Sequence, residues 1–425
     1  MKSWEPKFFI VEEKMGNEFD QLKNYIYSNT EMVVELEKLL CAIPALAPEN
    51  KGDGEWEKCE ALEKFLISKG IKNIQHYDAP DSRVSRGSRP NVVATISGNK
   101  DDYAIWVMAH LDIVPAGELS LWNSNPFEAI VKEGKIFGRG VEDNQQGLCS
   151  GVLAAMSFAG QHILPEHTIK LLFMADEEVG SKYGMGYLVE NHLDIFGKDD
   201  LILIPDGGDP LGQTIEVAEK NIMWLKFHTE GKQTHGSRPD EGINAHLASC
   251  ELSLLIHNLG KKFNRKDKLF EPPVSTFEPT MKLTNVEGVN IIPGDDVIYF
   301  DCRILPCYKI DQVMVEVKKC MAKIQKKYGV KISVEFVQRE ESPATPVNAP
   351  VVLKLKEAIK NVHGIEGKTI GIGGGTVAAA LRNKGINAAV WSTMDETAHQ
   401  PNEYCIIENI LKDASTIAYM CCDGK

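Results

Sequence analysis

Three apolar runs of strand length, YAIWVMA from residue 103, TIKLLFMA from 168 and LILIP from 201, show little of the polar alternation of a sheet with one wet face. Such runs need cover on both sides, and helices flanking a sheet supply it. The surrounding sequence fits that demand. Helical spacing in FDQLKNYIYSNTEMVVELEKLLCAI precedes a strand in PNVVATIS, a hairpin in AIVKEGKIFGRG, a helix from about Gly147 and a short helix in YGMGYLVENH. An α/β domain with a central sheet is predicted through Asp206.

The rhythm then changes. IMWLKFH, INAHLASCELSLLIHNL, TFEPTMKLTNV, VIYFDCRIL, DQVMVEVKKCMAKIQKKY and ISVEFVQ read as strand, helix, strand, strand, helix and strand, the βαββαβ order of a ferredoxin-like unit. The first pattern resumes with helix VVLKLKEAIKNVH, strand TIGIGG, helix TVAAALRNK and strand NAAVWST. We therefore expect a discontinuous first domain, residues 1–213 and 341–425, interrupted by a second at 214–340. A chain of 425 residues is long for one core, which agrees.

Composition excludes several function classes. Acidic residues outnumber basic ones 60 to 47, for a net charge of −13, so neither nucleic acid nor an anionic membrane is expected as a partner. Ten cysteines form no C-x-x-C pair, and Cys421 and Cys422 are adjacent, which suits neither a zinc ribbon nor a disulfide framework. With no apolar segment of signal-peptide or membrane length, a cytoplasmic protein is the expectation.

The strongly apolar runs of the first domain share one further property: each finishes in acid or imidazole. His110 and Asp112 follow WVMA, Asp176, Glu177 and Glu178 follow LLFMA, and Asp206 follows LILIP. Alone, a Glu-Glu pair or an Asp before Gly207-Gly208 is ordinary turn composition. Together they are harder to explain by turns, because ligands of α/β sheets sit beyond the carboxyl ends of the strands. Carboxylates and imidazoles gathered there would repel unless a cation compensated them. Nitrogen and oxygen donors without sulfur suit zinc, manganese or cobalt.

The segments MAHLDIVP, GRGVEDNQQG, MADEEVGS, IPDGG, GKQTHGSRPDEGINA, FDCRILP, GGGT and HQPNE, in that order, resemble the motif set of family twenty of the metallopeptidases. That family of dinuclear zinc hydrolases includes carboxypeptidase G, aminoacylase, desuccinylase, deacetylase and dipeptidase members. The resemblance implies a zinc-peptidase-like catalytic domain interrupted by a ferredoxin-like lid that forms homodimers. It makes His110, Asp143 and Asp206 ligands of one metal and Asp143, Glu178 and His399 ligands of a second, with Asp143 bridging. Glu177 becomes the general base, although its neighbour Glu178 is an equal candidate from the residues alone. Asp112, two positions beyond His110, can orient the imidazole. His235 and Asn290 of the lid are implied at the oxyanion, and Arg303 at a substrate carboxylate, with backbone amides of Gly374, Gly375 and Thr376 beside it. A cis peptide after Asp143 is expected. Gln145 and Val377 depart from the family pattern, which often has Lys and Asp there.

The reading is a two-metal hydrolase of an N-acyl amino acid with a free carboxylate, zinc being expected before cobalt or manganese. A dipeptidase or carboxypeptidase on short peptides is the alternative within enzymes, and a catalytically silent binding relative the alternative outside them.

Overall fold

The computed structural model describes residues 8–283 and 285–422, with side chains described from Glu18 onward. Two compact units divide the chain. One holds the residues through Val217, Thr345–Thr369 and those from Ala380 on; the other holds Ala218–Ala344 and Ile370–Ala379.

The first unit opens with helices α1 (Phe8–Ser28), α2 (Thr30–Cys41) and α3 (Trp56–Ser68). The helical stretch read at its start is two helices, broken at Asn29, whose side chain donates back to Tyr25 O at 2.7 Å. Strands β1 (Ile74–His76), β2 (Val92–Ile96) and β3 (Lys100–His110) follow, then α4 (Gln146–Gln161), β4 (His167–Met174), β5 (Leu201–Asp209) and β6 (Thr214–Glu219). Every residue of β3 from Ala104 to His110 is buried, as a strand covered on both faces requires. α4 is buried from Gln146 to Phe158. Its glycines allow the approach: a Cβ on Gly147 would lie 2.2 Å from Pro205 O, and one on Gly151 2.9 Å from Val107 Cγ1.

The second unit contains β7 (Asn221–Glu230), α5 (Ala245–His257), β8 (Thr276–Lys282), β9 (Asp295–Ile304), α6 (Ile310–Tyr328) and β10 (Lys331–Glu340). The order is β8-β9-β7-β10, with every neighbouring pair antiparallel. That is the ferredoxin-like arrangement expected of a βαββαβ chain. Burial alternates along β9, and α6 presents Val313, Val317, Met321 and Ile324 as one stripe to Leu225, Phe227 and Phe300.

The chain then supplies α7 (Pro350–His363), β11 (Lys368–Ile372), β12 (Ala388–Thr393) and α8 (Ile407–Cys421). The completed eight-stranded sheet has the order β1-β2-β4-β3-β5-β12-β6-β11. Its centre, β4-β3-β5-β12, is parallel, while β2 runs antiparallel to β1 and β4, and β6 antiparallel to β12, so the sheet is mixed. β5 does not stop in a turn at Gly207-Gly208 but continues through it beside β12. A Cβ on Gly208 would lie 1.9 Å from Ser392 O, so that glycine serves strand contact.

Candidate metal centre

Parallel strands β4, β3 and β5 end at one edge of the sheet, and each sends polar groups beyond it. His110 is the last residue of β3, Glu177 and Glu178 open the turn after β4, and Asp206 lies within β5. Asp176 sets the turn by adopting a left-handed backbone, φ 69°. Its carboxylate accepts from the Tyr183 N–H at 2.9 Å and lies 3.2 Å from the buried Arg89 guanidinium, which Glu55 also holds.

Asp143 comes from the turn Val141–Gln145 ahead of α4, where the Asp143–Asn144 peptide is cis, as expected. His399 comes from the loop between β12 and α8. His110 Nε2 lies 2.9 Å from Asp143 Oδ1 and 3.7 Å from Asp206 Oδ1. His399 Nε2 lies 3.0 Å from Asp143 Oδ2 and 3.1 Å from Glu178 Oε2. Asp143 thus offers one oxygen to each histidine, the geometry of a bridging carboxylate. Among the described residues, His110, Glu177 and Asp206 form one group with donor atoms within 4.8 Å of one another, and His110, Asp143 and Glu178 form another. A cavity of about 320 Å³ opens on Asp143 and Asp206.

The electrostatics fit a cation. Burial, then the Asp206 carboxylate, push Glu177 well above the usual range; burial also raises Glu178 and Asp206. Asp143 alone is held low, because hydrogen bonds from His110 and His399 outweigh its burial. Acids this crowded, with nitrogen and oxygen donors and no sulfur, suit a pair of hard to borderline divalent ions.

Asp112 is buried and works in two directions. His110 Nδ1 lies 3.0 Å from the Asp112 backbone carbonyl, its closest contact, and 3.5 Å from the carboxylate. The carboxylate oxygens accept instead from the N–H groups of Glu177 and Glu178, each at 3.0 Å. One residue therefore ties the imidazole of β3 to the acid turn of β4.

Three supporting residues were not singled out in the sequence. Glu403 accepts from the N–H groups of Gly140, Glu142 and Asp143 at 2.9, 3.0 and 3.2 Å, and from Arg139 at 2.6 Å. Glu142 accepts from Asp395 N and Ala398 N, each at 2.8 Å, and from Thr397. Asn144 donates to Asp206 Oδ1 at 2.6 Å and to Pro205 O at 2.7 Å, fixing the β5 carboxylate. The HQPNE segment contains Glu403, but nothing local marks what it binds.

The remaining residues lie in the second unit. His235 is exposed and pairs across a two-residue ladder with Ile291, next to Asn290, whose carbonyl accepts from Gly236 N at 2.6 Å. Ser237 N donates to His235 Nδ1 at 3.1 Å, which leaves Nε2 as the outward donor of the neutral ring. Asp301 takes the side of the Arg303 fork at 2.7 and 3.0 Å, and Gly373 O accepts from Nη1 at 2.7 Å. The outer N–H of Nη2 and one of Nη1 remain for another acceptor. Gly374 and Gly375 are exposed, while the Thr376 hydroxyl donates to Glu219 at 2.7 Å. Val377 is buried.

Comparison with known proteins agrees with this geometry. The family model described as Peptidase family M20/M25/M40 matches residues 106–422. An uncharacterised metallohydrolase of Methanocaldococcus jannaschii is 42% identical over 399 residues, covering 90% of this chain and 97% of that one. A succinyl-diaminopimelate desuccinylase of Nitratiruptor is 24% identical over 387 residues, covering 89% and 96%. The crystal structure of an aminopeptidase from Bacillus cereus superposes with a TM-score of 0.75 at 20% identity, covering 92% of this chain and 98% of the other.

Proposed function

The chain belongs to peptidase family M20/M25/M40, and from that membership we propose that it hydrolyses the amide bond of an N-acyl amino acid carrying a free carboxylate. Membership makes it a metal-dependent hydrolase of peptide or amide bonds, which removes the silent-relative alternative. The likeness to a desuccinylase favours an acyl amino acid over a peptide.

The observation that carries the mechanism is the separation of two adjacent acids. Asp112 holds both of their amides, yet Glu178 meets His399 and Asp143 while Glu177 groups with His110 and Asp206. Two divalent ions, zinc by preference, held by His110, Asp143, Glu178, Asp206 and His399 would polarise the scissile carbonyl and acidify a water. Glu177 takes that water's proton and returns it to the leaving amine. Arg303, with Gly374, Gly375 and Thr376, receives the substrate carboxylate. His235 and Asn290 stabilise the oxyanion, His235 being donated by the partner lid of a cytoplasmic homodimer.

The test is release of free amine from N-succinyl and N-acetyl amino acids set against dipeptides, with metal analysis of the same preparation. Faster turnover of dipeptides than of every acyl amino acid would replace this reading with a dipeptidase. No turnover of either class by metal-replete protein would sink both.

A further inference from the structure

Beneath the candidate centre sits a buried cation that no step above uses. Lys58, within α3, is 1% exposed; its neighbours Glu37 on α2 and Gln145 in the Asp143 turn are 0% and 2% exposed. The Gln145 amide is satisfied in one orientation, in which Nε2 donates to Glu37 Oε2 at 3.1 Å and Oε1 accepts from Lys58 Nζ at 3.2 Å. The ammonium also lies in the field of Asp112 and Glu55. Burial lowers Lys58 to about 8, with these acids working the other way.

A buried ammonium is costly to keep, and an apolar residue would fill the space at less expense. Its surroundings explain what it does. Gln145 closes the turn through a 3.0 Å bond from its N–H to Gly140 O and stands two residues after Asp143. Asp112, on the other side, carries the Glu177–Glu178 turn. Lys58 therefore touches the first of these segments through Gln145 and acts on the second through its field at Asp112.

We propose that Lys58 is a positioning residue of the hydrolytic centre: through the Gln145 amide it fixes the turn bearing Asp143, and its charge compensates Asp112 under the Glu177–Glu178 turn. The proposal rests on the functional reading above, since it assigns Lys58 a role toward the groups that hold the ions. It concerns charge and not packing, and the geometry separates the two. Because the side chains at 58 and 145 meet, a cation can be supplied from either position.

The experiment is calorimetric titration of Zn²⁺ into chelator-stripped full-length protein, with thermal melts of each variant. Lys58→Met should fold and bind the ions about 10–100-fold more weakly. Gln145→Lys, which crowds two ammonium groups, should be weakened as well. The double variant returns one cation to the same place and should recover to within about threefold of wild type, a rescue that packing alone does not produce. A double variant no better than the weaker single, or Lys58→Met that binds like wild type, overturns the proposal. Should Lys58→Met fail to fold, Gln145→Leu is read instead, since it keeps the ammonium and cuts the link. Unchanged affinity then overturns the proposal, and a loss of about tenfold or more upholds it. Wild-type protein that binds no divalent ion overturns the functional reading and this role together; binding by wild type with unaffected variants overturns the role of Lys58 alone.

Discussion

Glu142 and Glu403 hold each other's loops. Glu142, beside Asp143, accepts the amides of the loop that carries His399, and Glu403, in that loop, accepts the amides around Asp143. The bonds join positions 253 to 263 residues apart. The spacing of the two candidate ligands is thus set by an exchange of carboxylates that belong to neither group of candidate donors.

Replacing either acid by Gln puts a donor against backbone N–H groups. Each variant should lose about 1–3 kcal/mol of stability in denaturant melts, and ion affinity should fall roughly 10–100-fold. The two losses should not add, because breaking one half of the exchange already loosens the other; a coupling of about 0.5–3 kcal/mol is expected in the double variant. Strict additivity would show that the loops are held independently.

Glu177→Gln should keep its metal and lose turnover by about 10²–10⁴. Glu178→Gln should instead lose one ion. Metal analysis and single-turnover kinetics on the pair decide the order of the two acids, and the reverse pattern would exchange their roles.

Wild-type protein should carry two divalent ions per chain and lose activity on chelation. Full activity with one ion per chain would remove the two-ion mechanism, whatever the substrate.

His235→Ala should cost about 3 kcal/mol of transition-state stabilisation with metal content unchanged. If the proposed homodimer forms, mixing it with Glu177→Ala chains should give heterodimers in which one site carries both defects and the other carries neither. Activity should return on subunit exchange. Demonstrated heterodimers without activity would refute donation across the interface.

Asp413 offers a pH test away from the centre. It is fully buried, accepts from Thr393 N, Thr393 Oγ1 and Ser392 Oγ, and is raised by burial to about 7. Between the unfolded value and the folded one, the native state binds the extra proton, so this group's contribution is greatest in acid and is lost as pH rises towards 7. The full span corresponds to about 4 kcal/mol as an upper bound. Asp413→Asn, which cannot ionise, should flatten the stability profile over that window; an unchanged slope would show that Asp413 titrates normally.

The mixed sheet and the inserted ferredoxin-like unit were legible because burial on two faces leaves uniformly apolar runs and burial on one face leaves alternation. Strand ends were legible too, since His and acid after an apolar run have few other reasons to be there. Glu142, Asn144 and Glu403 were not, because their partners lie across the chain and no local pattern encodes a bond of that span. Gly207-Gly208 looked like a turn and is strand, because Gly208 answers to Ser392 on β12 and Gly207 to Glu216 on β6. Strand Thr214–Glu219 was not read at all, being short and interrupted by acids. Lys58 lay hidden in an unremarkable helix, as nothing in WEKCEALEKFLIS says which lysine faces inward.

The interrupted first unit imposes an order on assembly. His399 leaves the ribosome 221 positions after Glu178, which at ordinary rates of synthesis is a delay of roughly 10–40 s. For most of that interval the nascent chain already holds His110, Asp143, Glu178 and Asp206 but not Glu403, so the turn bearing Asp143 has yet to receive its acceptor. A chain stalled before position 395 has donors suited to one ion and lacks the histidine proposed for the other. With the ligands as proposed, a second ion would have to wait for the last stretch of polypeptide to come home.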